Sequence, residues 1–171
     1  ADRARPPARG ARTIVSMTDV WAEAIAVEPV GGGIFEVTLD GGWSVGGGLN
    51  GGYQMAVVGH ALRTVVPGKP DPIAFSTHFL SAAKAGPAQV HTRVLRDGGS
   101  IATLEGRLVQ DGQDRIVVLA TYSDLTTLTD EVATTAVPAP FTPREQCFPT
   151  TMSPPQMREA APLMERFDML L

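Results

Sequence analysis

The residues best placed for chemistry open an apolar run: Asn50-Gly51-Gly52-Tyr53, then Gln54-Met-Ala-Val-Val-Gly-His-Ala-Leu-Arg-Thr-Val-Val, stopped by Pro67. Asn is among the best helix N-caps, because its side-chain oxygen accepts a backbone N–H that the first turn leaves without a partner. Behind such a cap, Gly51 and Gly52 present unhindered N–H groups at the positive end of a helix dipole, which favours a developing oxyanion. The same glycines would equally serve a tight turn or close packing of helix on sheet. Other ionisable candidates are sparse. His60 lies mid-run, too deep to reach a ligand at the helix start. His78 sits in a strand-like segment beside Phe79, sharing a face with Ser76, and His91 lies in the next segment. Arg96, Asp97 and Ser100 belong to a turn. Cys147 follows Pro143 in a loop-like stretch with no nearby His, so it reads as a bystander thiol. The sequence offers no carboxylate pair, metal-ligand cluster or phosphate-loop motif.

These residues need elements to position them. The run from Gly51 to Val66 predicts a helix about 24 Å long. Its only permanently charged side chain is Arg63, and it has no Asp or Glu, so burial on most sides is expected. It is too short and glycine-rich for a membrane span. Upstream, Thr18 or Asp19 caps a short turn over Val20 to Ala24, and Gly31 to Gly33 make a turn. Ile34 to Leu39 alternates as a strand with Phe35, Val37 and Leu39 inward, and Asp40-Gly-Gly signals a hairpin. Downstream come four strand-like segments: Ile73–Leu80, Pro87–Arg96, Ser100–Val109 and Arg115–Asp124. One buried helix followed by a long antiparallel run predicts an α+β fold, a curved antiparallel sheet wrapped around the helix.

Around this core the composition changes. Residues 1–17 are rich in Ala, Arg and Pro and predict a disordered tail with no signal-peptide pattern. Residues 18–125 form the domain, and 126–162 are a Pro- and Thr-rich linker with one short helix near Gln156 to Ala160. Residues 163–171 read as the start of a second unit, opening on a strand from Met164. The net charge of −4 argues against nucleic acid as the main partner. A single cysteine forms no internal disulfide and fits a reducing, cytoplasmic compartment.

Three stretches carry a family likeness: Asn50-Gly-Gly-Tyr-Gln-Met-Ala, Phe79-Leu-Ser-Ala-Ala-Lys-Ala-Gly-Pro and Val94-Leu-Arg-Asp-Gly-Gly-Ser-Ile-Ala. With Leu108-Val-Gln-Asp-Gly and Leu119-Ala-Thr-Tyr, they resemble the N-terminal half of the type II acyl-CoA thioesterase family, whose members are double-hotdog proteins. The resemblance spans about Val20 to Asp124, and Arg166-Phe-Asp-Met resembles the first strand of the second hotdog. It implies a hotdog fold, an acyl-CoA substrate of fatty acid metabolism and hydrolysis by water without a metal or other cofactor. It also implies a second hotdog domain or chain as partner, in a homo-oligomer. In that family the Asp, the Ser or Thr, and the Gln that position the water belong to the second hotdog, so no catalytic residue is assigned here.

The resemblance casts Asn50, Gly51, Gly52, Tyr53, His78 and Arg96 as substrate-binding. Tyr53 would line an acyl or pantetheine channel and Arg96 would attract a CoA phosphate. Each also has a plain structural role open to it: cap, tight turn, core tyrosine, exposed strand histidine, solvated arginine. Because the helix carries no carboxylate, a non-catalytic acyl-CoA-binding or scaffold module is the alternative. An enoyl-CoA hydratase is a further one, but it needs an Asp and a His about four residues apart in the loop leading into the helix. Asp40 and Asp71 have no such His.

Overall fold

The structure, a computed structural model, describes residues 17–127, 129, 135–137, 139–167 and 169–170. Of the tail expected over residues 1–17, only Met17 falls among them, and it begins the first helix, α1 (Met17–Ala24). A hairpin follows, β1 (Glu28–Gly31) and β2 (Ile34–Leu39), turning through Gly32 and Gly33. Their φ of +61° and +76° is a conformation that favours glycine. Phe35, Val37 and Leu39 are buried and Glu36 and Thr38 exposed, as the alternation predicts.

Asp40-Gly-Gly does not make the expected hairpin. Asp40 Oδ1 accepts the Gly42 N–H at 2.8 Å and caps a 3-10 turn, Gly41–Trp43. The reversal falls later, at Gly46 and Gly47, between the two-residue strands β3 (Ser44–Val45) and β4 (Gly48–Leu49). Trp43 decides this: its buried ring anchors the chain in the core before the backbone turns back.

The central helix, α2, runs Gly51–Val65 with Asn50 as its cap, Asn50 Oδ1 accepting the Tyr53 N–H at 3.1 Å. The four later strands are β5 (Asp71–Phe79), β6 (Gly86–Asp97), β7 (Ile101–Gln110) and β8 (Gln113–Ser123). They join β1 and β2 in one antiparallel sheet of order β1-β2-β6-β7-β8-β5. Val90, Leu104, Leu108, Ile116 and Val118 line its inner face, fully buried against α2. Helix and sheet meet most closely at Gly106, where an added Cβ would stand 2.5 Å from Val58 Cγ1. This is the α+β arrangement that the sequence predicts.

Burial of α2 is one-sided rather than general. Tyr53, Gln54, Val57, Val58, Ala61 and Leu62 are buried, whereas Met55, Ala56, Gly59 and His60 are half-buried and Arg63 is exposed. The sheet wraps only one side of the helix, and a groove runs between the half-buried face of α2 and β5. Among the described residues no helix is long and apolar enough to cross a membrane.

After β8 the described residues carry short 3-10 turns and a short helix, α3 (Pro155–Ala160), close to the place expected for it, with Pro155 at its permitted first position. Met164 onward does not extend as the expected strand. Pro162–Glu165 is a 3-10 turn, and an isolated bridge joins Leu170 to Pro149. Pro162 favours a turn here, and Leu163 packs against the hydrophobic core.

Candidate functional site

The start of α2 is fastened from several directions. The Asn50 N–H donates to the Trp43 carbonyl at 2.9 Å, and the Leu49 N–H donates to the Ala83 carbonyl at 3.2 Å. Gln54 reaches back so that its Nε2 donates to the Leu49 carbonyl at 2.9 Å. With Asn50 serving the Tyr53 N–H, the Gly51 and Gly52 N–H groups are the donors of the first turn left without an acceptor among the described residues. No acidic residue stands in that turn to neutralise the dipole.

Phe79 closes one side of this helix start. A Cβ on Gly51 would lie 2.8 Å from its Cζ, so glycine is what lets the ring approach. Gly52 is exposed. Phe79 and Leu80 are themselves more than half exposed and give the donors an apolar neighbour. One helical turn along from Gly51 stands Met55, and four residues back from Phe79 on the same strand face stands Phe75. Both line a groove of about 310 Å³ with Ala56, Gly59 and Pro72, and His60 and Arg63 also border it. Two unpaired donors followed by an apolar trough can hold a carbonyl oxygen and the chain attached to it.

The residues singled out in the sequence separate into three places. Asn50, Gly51 and Gly52 are together at the helix start. Tyr53 follows them in sequence but points into the core, 1% exposed. Its hydroxyl donates to the Ala24 carbonyl at 2.9 Å and accepts the Asp40 N–H at 2.9 Å. Burial raises its pKa, and the Asp40 N–H pulls the other way. It is a core tyrosine with a satisfied hydroxyl and offers the groove no free group.

His78 lies on the opposite face of the sheet. It pairs with Val117, while its neighbours Thr77 and Phe79 pair with the inward residues Val118 and Ile116. Arg96 is further away still. The turn after it stands beside Ser123 and Asp71, at the far end of β5 from Phe79, roughly 25 Å along a strand of this length. A Lys69–Asp97 ion pair at 2.7 Å ties that turn to the loop after α2. The structure therefore does not bring His78 or Arg96 to the helix start. His91 Nε2 is within 3.1 Å of Gln89 Oε1, and Cys147 is a free thiol turned toward the Thr142 and Pro143 carbonyls.

Two participants escaped the sequence reading. Phe79 was legible only as a strand residue that opens one of the family-like stretches, although a glycine at a helix start hints at a close neighbour. Asp40 looked like a turn residue, yet its backbone holds the Tyr53 hydroxyl and its Oδ2 accepts from Arg166 Nη2 at 3.1 Å. Among the described residues no cluster of His, Cys, Asp and Glu is arranged to hold a metal.

With this geometry in hand, comparison with known proteins is specific. Residues 39–123 match the family model for the acyl-CoA thioesterase N-terminal domain. A candidate thioesterase II from Thermobifida fusca is 29% identical and superposes with a TM-score of 0.66 over 74% of this chain and 47% of that one. A hotdog-fold protein of unknown function from Alicyclobacillus acidocaldarius is 20% identical, with a TM-score of 0.71 over 85% and 52%. An acyl-CoA thioesterase II from Mycobacterium marinum is 16% identical, with a TM-score of 0.60 over 77% and 48%; these last two likenesses speak to fold alone. The chain thus spans about half the length of these solved proteins. No curated protein matches it. The curved sheet around α2 is a hotdog, and residues 39–123 are a thioesterase-family domain similar to the acyl-CoA thioesterase N-terminal type.

Proposed function

We propose that this domain serves the hydrolysis of acyl-CoA thioesters as one hotdog of a pair. The observation that carries the reading is the pair of Gly51 and Gly52 amides, without an acceptor among the described residues, that lie beside Phe79 and one helical turn from Met55, a lining residue of the groove between α2 and β5. Water adds to the thioester carbonyl, and the oxygen that gains the negative charge is held by these amides. The tetrahedral intermediate collapses with cleavage of the carbon–sulfur bond. The proton removed from water passes through a base to the departing thiolate, giving a carboxylic acid and free CoA. The α2 helix contributes no carboxylate for that base, so it comes from the partner hotdog.

The outer edge of β5 supports the pairing. Nothing among the described residues pairs with it, and Ile73, Phe79 and Leu80 are exposed along it. A long open edge with apolar neighbours invites a second sheet. The partner is a second hotdog, either a continuation of this chain or another copy. A single cysteine fits a reducing, cytoplasmic compartment, and the family resemblance implies a place in fatty acid metabolism.

The decisive experiment measures two quantities on one sample, mass by sedimentation and thiol release from a panel of acyl-CoAs. The chain alone should associate and turn over poorly, and adding the second hotdog should raise turnover. A monomer with full activity overturns the reading. The missing carboxylate favours a second reading, an acyl-CoA-binding module without chemistry. Tight acyl-CoA binding with no thiol release in the paired assembly would select it.

A further inference from the structure

Residues 160–167 leave the linker and settle on the loop that feeds α2. The Ala160 carbonyl accepts the Gly46 N–H at 2.9 Å. Leu163 packs against the core. Arg166 reaches Asp40, Nη2 to Oδ2 at 3.1 Å, and lays its guanidinium 5.7 Å from the centre of the Trp43 ring. Phe167 meets the same ring edge-on at 5.7 Å. Trp43 in turn stacks on Tyr53 at 5.5 Å and gives its carbonyl to the Asn50 N–H. Asp40 is bonded three ways: to Arg166, to the Gly42 N–H, and through its own N–H to the Tyr53 hydroxyl.

We infer that residues 160–167 form a strap seated by Arg166 between Asp40 and Trp43, and that Arg166 is a positioning residue for the Asn50–Gly52 amides. An exposed ion pair alone would hold little. Here the guanidinium also lies over an indole face, and Leu163 adds buried apolar surface on the same segment. Gly42 marks the seat. A Cβ on it would overlap Arg166 Nη2, so a side chain at this position displaces the guanidinium from its seat. The backbone of Gly42 is outside the left-handed region, so alanine fits its conformation and displaces nothing but the guanidinium. Both routes from Arg166, through Asp40 to Tyr53 and through Trp43 to Asn50, end at the first turn of α2. The positioning role rests on the thioesterase reading of that turn, whereas the strap is tested without substrate.

The test is amide hydrogen exchange, read by mass spectrometry, on the 171-residue chain and on Arg166→Ala, Arg166→Lys, Gly42→Ala and the Gly42→Ala/Arg166→Ala double variant. Exchange at Gly46 and across residues 48–54 should quicken about tenfold in Arg166→Ala and in Gly42→Ala while β7 and β8 stay protected. The double variant should exchange no faster than either single one, because both remove the same contact. Lysine keeps the charge without the planar stack and should fall between. Unchanged exchange in Gly42→Ala and Arg166→Ala, or additive effects in the double variant, overturns the strap. If Arg166→Ala loses protection throughout, Gly42→Ala decides, since it keeps every charged group. In a two-hotdog assembly that hydrolyses acyl-CoA, the same variants should lower kcat more than they raise KM. Faster exchange with kcat unchanged overturns the positioning role. Faster exchange in a protein with no hydrolysis supports the strap and removes the thioesterase reading.

Discussion

Phe79 fills the space that a side chain on Gly51 would need: a Cβ there would stand 2.8 Å from the ring's Cζ and 2.9 Å from Cε1. The ring is half exposed and can swing aside, so Gly51→Ala should cost little stability. The helix gains from losing a glycine and offsets the displaced ring, leaving a net change within about 1 kcal/mol. The effect should fall on chemistry. With the amides partly shielded, kcat/KM for acyl-CoA in a two-hotdog assembly should drop about tenfold or more. Thermal midpoint and turnover measured on one preparation check this; unaltered turnover would remove Gly51 from the site.

Val57 is fully buried at the middle of α2. Val57→Asp buries an unpaired carboxylate, which costs several kcal/mol against a typical stability of about 5–15 kcal/mol. Loss of near-ultraviolet circular dichroism is the expected outcome. A normally folded variant would mean that α2 is not central to the core.

Gly106 should be sensitive too, though less so. A Cβ there would come within 2.5 Å of Val58 Cγ1 and 3.2 Å of Leu62 Cδ1, with no solvent for either side chain to move into. Gly106→Ala should cost about 1–3 kcal/mol by overpacking. Val58→Ala makes room, so the double variant should lose less than the sum of the two singles. Additive losses in denaturant titration would argue against direct contact.

Both tyrosines of the chain, Tyr53 and Tyr122, have pKa values raised by burial. A buried phenol resists ionisation, so each contributes stability that is fully present below the ordinary value of 10.0. That stability is lost as pH rises above 10.0 toward the raised values of the fold. Native protein at pH 10 should therefore show less tyrosinate absorbance than the unfolded chain, and the remaining signal should appear together with alkaline unfolding. Half-ionised tyrosine in folded protein at that pH would contradict the burial of both rings. Tyr122→Phe should in addition lose the hydrogen bond that its hydroxyl donates to the Gly59 carbonyl at 2.8 Å, at a cost of about 1 kcal/mol.

Much of the fold was legible from local rules. The alternation from Ile34 to Leu39 set which side chains face inward, because successive Cβ atoms on a strand point to opposite faces. Asn50 and Pro67 bracketed α2 through capping and through the missing N–H of proline. The candidate site was legible only where its parts are neighbours in sequence, as Asn50, Gly51 and Gly52 are. His78 was a candidate from its strand position and Arg96 from its turn, but sheet face and strand register decide where they stand, and both depend on pairing between distant segments.

What the sequence by itself determined is therefore the helix with its Asn50 cap and the strand alternation, since each rests on contacts within a few residues. The tertiary structure alone decided that Phe79 comes to rest on Gly51, that Tyr53 points into the core, and that Arg166 reaches Asp40 from 126 residues away. Those contacts exist because closing the sheet around α2 brings chain-distant surfaces together, and no local preference of the backbone encodes that meeting.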